Sequence, residues 1–430
     1  MNRWGTDGVT HSPAHGAIDA VWRIEAPRVI ARLARMVGDV GLAEDFAHDA
    51  LVAALEQWPA SGVPDNPGAW LMAAGKRRAI DHLRRGEMLD RKHDEWKIAM
   101  QEREDVASAL DEAIDDEIGD DLLRLIFIAC HPVLSVEARV ALTLRLLGGL
   151  TTEEIARGFL TTVPAVQQRI VRAKRTLAAA HVPFEVPRGA ELASRLASVL
   201  EVIYLIFNEG YSATAGDDWV RPALCEDALR LGRIVAELAP DNAEVHGLAA
   251  LMEIQASRLR ARVSPTGEPV LLLDQDRSRW DRILIGRGLA ALDRAVRTGS
   301  ALGPYTLQAA IAACHARALV PEDTEWTRIT ALYDALAQLA PSPVVELNRA
   351  VAYAMAFGPA EGLAIVDAIA GDPALAGYHL LPSVRGDFLF KLGRFAEARA
   401  EFERAASLTA NARERSMLMA RAAAPPPARD

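Results

Sequence analysis

The chain holds little cysteine, few aromatic residues and no long apolar run. Three cysteines (Cys130, Cys225, Cys314) in 430 residues, with no paired spacing, exclude a disulfide framework and a thiolate zinc site and suit a reducing cytoplasm. The richest apolar stretch, LASVLEVIYLIF, is short and interrupted by Glu201, so no membrane span and no membrane partner are expected. The first residues lack the apolar segment of a secretory signal, which again points to a cytoplasmic protein. Ten histidines are dispersed without a His-Glu-x-x-His pattern, so neither metal nor cofactor is expected. With no pairing of nucleophile and general base, no catalytic residue is named and the chain reads as a binder rather than an enzyme.

What is present is helix. Ala, Leu and Arg recur at three- and four-residue spacing over most of the chain, an all-α signature with enough length for several cores. Residues 18–86 read as three helices: from about Pro27, a good first-turn residue, to Val37; from about Leu42 to Trp58; and one ending near Arg85 after the loop PASGVPDNPG. Residues 121–180 return to helical periodicity and close at a Pro/Gly-rich hinge, residues 181–189.

Charge is unevenly spread. The net charge is -10, yet residues 76–92 carry seven Lys/Arg against three Asp/Glu, and residues 157–175 carry five against none. Between 104 and 123 lie nine acidic residues and no basic one. Two local basic patches therefore say more about nucleic acid than the net charge does.

The second patch has the pattern of a helix-turn-helix. Thr151 and Glu154 form an S/T-x-x-E capping box, and Pro164 stands at the start of the next helix after the break FLTTV. In that helix Val163, Val166, Ile170, Ala173 and Leu177 make one buried stripe. Gln168, Arg172 and Arg175 form a stripe pointing away, with Gln167 and Arg169 at the N-terminal end. Gln and Arg there can make bidentate contacts to adenine and guanine in a major groove. The helix before the first patch has a buried stripe of Phe46, Ala47, Ala50, Leu51, Ala54, Leu55 and Trp58, and its other face shows Asp45, Asp49 and Glu56. An acidic helix repels DNA and suits a basic protein surface.

Together, AEDFAHDAL with AWLMAAGKRRAIDHLRR resembles region 2, and GLTTEEIARGF with VQQRIVRAKRTL resembles region 4, of the small extracytoplasmic-function (ECF) group of sigma-70 RNA polymerase sigma factors. YLIFNEGYSA, DQDRSRWD, AAIAACHA and LNRAVA resemble the subgroup with a long TPR-like C-terminal extension. The resemblance implies region 2 at 18–90, an acidic linker at 91–120, region 4 at 121–181, a TPR-like helical domain at 182–420 and a disordered tail at 421–430. It implies two partners, core polymerase (beta-prime clamp and beta flap) and promoter DNA. Glu44, Asp45 and Asp49 would bind the clamp. Asp65, Asn66 and Trp70, with Lys76, Arg77, Arg78, His82, Arg84 and Arg85, would hold the minus-ten element, including a flipped base. Pro164, Gln167, Gln168, Arg169, Arg172, Lys174 and Arg175 would read the minus-thirty-five element. The family often has Asn where this chain has Arg77, so no base preference is carried over. The acidic linker suits a polymerase channel built for polyanions; a solvated tether is the other reading.

In the C-terminal half, Gly386, Ala398, Phe402 and Ala405 stand 12, 4 and 3 residues apart, the small-and-large register of a TPR helix pair. Gly358 lies 35 residues before Gly393, consistent with a preceding pair, and Pro240 and Pro341 mark repeat junctions. Such a domain exposes a concave surface for a peptide, another protein or the chain's own N-terminal half. Asp274, Asp276 and Asp281 form either a capped, salt-bridged loop or a metal or catalytic cluster. Tyr305 and His315 read as core or interface residues rather than chemistry. The extension is expected to contact region 2 or region 4, with Asp274–Trp280 at that contact. The rival reading is a helix-turn-helix regulator with a TPR sensor that has no need of polymerase.

Overall fold

A computed structural model describes residues 13–89, 114–159, 161–212, 215–216, 219–299 and 301–424. The chain forms two compact units: Met1–Arg157 with Thr161–Val202, and Gly158–Leu160 with Ile203–Asp430. Both are helical; among the described residues the β-structure consists of one parallel pair, β1 (Ala215–Gly216) with β2 (Ala410–Asn411), and an isolated bridge.

In the first unit, α1 (Pro13–Val37), α2 (Val40–Ser61) and α3 (Pro67–Leu89) pack on one another. Pro27 lies inside α1 rather than at its start. The reason is packing: Ile18, Ala26, Val29, Ile30 and Leu33 are all buried at helical spacing. The stripe thus continues across the proline and outweighs its missing N–H. Asp39 caps α2, its Oδ1 accepting from Leu42 N at 2.9 Å. Of the stripe expected on α2, Leu51 and Leu55 are only half-buried. A Cβ on Gly75 would come within 2.9 Å of Leu33 Cδ1, so the glycine sets how closely α3 approaches α1.

The next helix, α4 (Ile114–Ala129), takes residues 114–120 out of the expected linker; residues 90–113 lie outside the described residues. Leu122, Leu125, Ile126 and Ala129 supply its buried stripe. Asp121, the last acid of the run, is buried and paired with Arg124 (2.6 Å) and Arg35 of α1 (3.4 Å). Then follow α5 (Val136–Leu146), α6 (Thr152–Gly158), α7 (Val163–Ala179) and α8 (Ala190–Tyr211).

The first unit ends within α8, not at the hinge. Arg195 Nη2 donates to Phe127 O (2.8 Å) and Ser198 Oγ to Cys130 O (2.7 Å), closing the carbonyl end of α4 with the first half of α8.

The second unit continues through α9 (Pro222–Leu238), α10 (Ala243–Ala256), α11 (Arg282–Arg297), α12 (Pro304–Arg317), α13 (Trp326–Leu339), α14 (Pro343–Phe357), α15 (Pro359–Ile369), α16 (Leu380–Lys391), α17 (Phe395–Leu408) and α18 (Ala412–Ala423). Gly358 (φ +109°) and Gly393 (φ +77°) turn the chain between α14 and α15 and between α16 and α17, so their 35-residue separation is a repeat of turns. A Cβ on Gly386 would meet Phe402 at 2.9 Å, and Phe402 is buried, as the small-and-large register requires. Residues 421–423, expected in the tail, complete α18; residues 425–430 lie outside the described residues.

Candidate nucleic-acid interface

The helix-turn-helix is built from its caps. Glu154 N donates to Thr151 Oγ1 (3.2 Å) while Thr151 N donates to Glu154 Oε2 (2.8 Å), the reciprocal pair of a capping box. Thr162 caps α7 through Ala165 N (3.3 Å), and Pro164 lies in the first turn as the second residue of the helix, which starts one residue earlier than expected, at Val163. Val166, Ile170, Ala173 and Leu177 are buried, with Val163 half-buried. Pro164, Gln167, Gln168, Arg169, Arg172 and Arg175 are exposed. The row facing away from the core therefore carries planar, bidentate-capable side chains.

On α3, Arg77, Arg78 and His82 are exposed, and Lys76 is half-buried. Arg84 and Arg85 belong to α3, but their side chains lie outside the described residues. Asp65 and Asn66 are exposed just before the helix, where Asn66 Oδ1 accepts from Ala69 N (3.0 Å) and caps it. Trp70 sits edge-on against buried Trp58, centroids 5.3 Å apart, which anchors the start of the helix to α2.

The acidic face of α2 departs from expectation. Asp45 and Asp49 are exposed, but Glu44 is buried at 7% exposure. Its Oε1 lies 2.5 Å from Arg145 Nε of α5, and its Oε2 lies 2.5 Å from Lys174 Nζ of α7. Burial pushes the Glu44 carboxyl up, but Lys174 and Arg145 outweigh it and hold the group below its ordinary value. Two expected contact residues, Glu44 for polymerase and Lys174 for DNA, are thus bound to each other. Lys174 lies on the flank of α7 between the buried and exposed rows, so helical phase alone did not place it. Arg145 reaches this carboxylate from 101 positions away, a separation that no local pattern links.

Comparison with known proteins decides the family. A sigma-70 region 2 family matches residues 22–87, and a sigma-70 region 4 family matches residues 124–177. This chain belongs to the sigma-70 family of RNA polymerase sigma factors, in its ECF group. A probable ECF RNA polymerase sigma factor, SigI of Mycobacterium tuberculosis, is 27% identical over 163 residues, 38% of this chain and 55% of its own length. SigK of Mycobacterium ulcerans, an ECF RNA polymerase sigma factor, is 27% identical over 154 residues, 35% of this chain and 78% of its own. An uncharacterized protein of Rhizobium meliloti is 44% identical over 401 residues, 93% of both chains. A family of unknown function, DUF6596, matches residues 195–296. No solved structure matches the chain.

As a sigma factor the protein interacts with core RNA polymerase and promoter DNA. Among its described residues no helix is long and apolar enough to cross a membrane, and no group of His, Cys, Asp or Glu is arranged to hold a metal. The loop DQDRSRWD is capped. Asp276 Oδ1 accepts from Ser278 N (2.9 Å), and Asp281 Oδ1 accepts from Ile283 N (2.9 Å) and Leu284 N (3.1 Å), starting α11. Arg277, expected at a contact with the N-terminal regions, is buried inside the second unit. Its Nη1 donates to His315 O (3.0 Å) and Ala318 O (2.8 Å), and its Nη2 to Thr324 Oγ1 (3.1 Å). The backbone carbonyls at the C-terminal end of α12 need these donors, which is why the arginine turns inward.

Proposed function

We propose that this sigma factor reads the minus-thirty-five element with Gln167, Gln168, Arg169, Arg172 and Arg175, and the minus-ten element with Asp65, Asn66, Trp70 and the basic face of α3. The observation that carries this reading is the exposed Gln/Arg row of α7 standing opposite a buried apolar stripe on a capped second helix. Asp45 and Asp49 face the beta-prime clamp, and region 4 meets the beta flap. The protein works by binding, in the cytoplasm with polymerase, and carries out no turnover. Trapping an unstacked base costs a few kcal/mol, which contacts in the base pocket offset.

The Glu44–Lys174 pair adds a conformational step. The two promoter elements are centred about 25 base pairs apart, on the order of 85 Å of duplex. Regions 2 and 4 cannot span that distance while a side chain of α2 touches one of α7. The paired arrangement is therefore the free form, and it opens when promoter and polymerase are engaged.

The C-terminal unit supports a competent arrangement of the two regions, so a chain ending after Pro187 loses most promoter-dependent transcription. Such a chain also lacks Arg195 and Ser198, which bind the end of α4. A second truncation at the end of α8 separates the two effects. The reading as a whole is tested by run-off transcription from genomic fragments with core polymerase and the full chain. Failure to co-purify with core enzyme or to direct any specific start would refute it.

A further inference from the structure

Among its described residues the second unit buries cationic side chains with no carboxylate to balance them. Arg258, just past α10, is 9% exposed, and Arg262 is half-buried one turn later. The Nε of each is buried without a hydrogen-bond partner, and no carboxylate among the described residues pairs with either. Both guanidinium groups share one ring: Arg262 Cζ stands 3.8 Å from the Tyr211 centroid and Arg258 Cζ 5.8 Å from it. Trp219 lies 5.5 Å from Arg262, and Trp280 lies 5.6 Å from Arg258. A third guanidinium, that of Arg277, approaches the same Trp280 ring at 5.1 Å, but carbonyls and Thr324 already engage its terminal nitrogens.

Among the described residues the surroundings supply no internal counter-charge. Burial pushes Tyr333 up to about 12, so it stays a neutral phenol. His315 is driven down to about 3 by burial and by Arg258 and Arg277, so it adds no positive charge at neutral pH and no negative charge at any. Cation–π contacts with Tyr211, Trp219 and Trp280 ease the desolvation of the two arginines without cancelling their repulsion. Apolar residues of similar volume would pack such a site at less cost, so two unpaired arginines here call for a ligand.

We propose that Arg258 and Arg262 form a binding site for a small oxyanion, a carboxylate or phosphate, with Tyr211 and Trp219 supporting the guanidinium group of Arg262. The guanidinium fork matches two oxygens of either group, and the Tyr211 ring, itself stacked on Phe207, holds Arg262 from behind. Half-buried Arg262 is the entry side and Arg258 the inner side. The residues fall within the stretch matching the family of unknown function and are independent of the promoter-reading surfaces. An anionic metabolite is thus an effector that this part of the sigma factor can sense.

The test uses the full chain at constant ionic strength. Inorganic phosphate and benzoate are each titrated calorimetrically and by unfolding midpoint, with chloride as the reference anion. Saturable binding of one of them beyond chloride is expected; phosphate alone identifies a phosphate group, and benzoate alone an aromatic carboxylate. Arg262→Gln weakens it at least tenfold. Arg258→Gln abolishes it, while the unliganded variant unfolds no earlier than the parent because an unbalanced buried charge has been removed. Neither probe binding beyond chloride would overturn the proposal. So would undiminished binding in both variants, or an Arg258→Gln chain that is less stable yet binds as before.

Discussion

Lys174 Nζ of the recognition helix stands 2.5 Å from Glu44 Oε2 of α2, and Arg145 closes the other oxygen of the same carboxylate. The helix proposed to read DNA is thereby tied to the helix proposed to face polymerase, through a carboxylate 7% exposed. The tie is charge-assisted and shielded, which makes it stronger than a surface pair. The proposed paired form of the sigma factor rests on it.

That tie has a measurable coupling. In urea unfolding, Glu44→Gln and Lys174→Met should each cost about 1–3 kcal/mol. The double variant should fall short of their sum by about 1 kcal/mol or more. Strict additivity would mean that the two groups do not support one another.

Promoter reading divides by side chain. Arg172→Ala and Arg175→Ala should each weaken binding to the upstream element. A phosphate contact would lower the salt slope by about one, and a base contact would relax sequence preference instead. Lys174→Ala should change DNA affinity less than either, because its ammonium is engaged by Glu44. An unaltered footprint in both arginine variants would remove α7 from the promoter surface.

Polymerase docking should depend on Asp45 and Asp49 rather than on Glu44. Both aspartates are exposed, Asp45 at 73% of its side chain and reaching Lys174 only at 3.9 Å while Glu44 holds that ammonium at 2.5 Å, so reversing their charge leaves the fold intact. Asp45→Arg with Asp49→Arg is expected to abolish co-purification with core enzyme while the circular dichroism and unfolding midpoint stay within about 0.5 kcal/mol of the parent. Retention of core binding would move the docking surface elsewhere.

Acid should weaken the second unit well above the carboxylate range. His315, 8% exposed and edge-on to Trp326, titrates at about 3 when folded against an ordinary 6.5. Between those values the unfolded chain binds a proton that the folded chain refuses, so stability falls as pH drops from 6.5 towards 3. The loss is on the order of a few kcal/mol. Glu44 acts lower: its folded value is depressed, so its contribution is present above about 4.5 and fades as pH falls below that. Unfolding free energies of a His315→Gln variant should lose the upper part of this acid limb; an unchanged slope between pH 6 and 4, on the order of the parent's, would assign it to other groups.

The helices, the capping box at Thr151, the buried stripe of α7 and the register around Gly386 were legible in the residues because each depends on neighbours within a few positions. Caps, 3.6-residue periodicity and glycine turns are local physics, and the exposure of Gln167, Gln168, Arg169, Arg172 and Arg175 follows from helical phase alone. Failures arose where distant residues compete for a group. Pro27 sits within α1 because buried neighbours on both sides of it outweigh its own preference. Residues 114–120 join a helix whose Asp121 finds Arg35 on α1. Glu44 and Lys174 lie 130 positions apart and have identical local credentials to their exposed neighbours; only the fold decides that they meet. Likewise Arg258, Arg262 and Arg277 read as ordinary helix-flanking charges until folding gathers them around Tyr211 and Trp280, with no carboxylate between them among the described residues. Charge in the sequence announces an interaction; burial and the partner at hand determine which one.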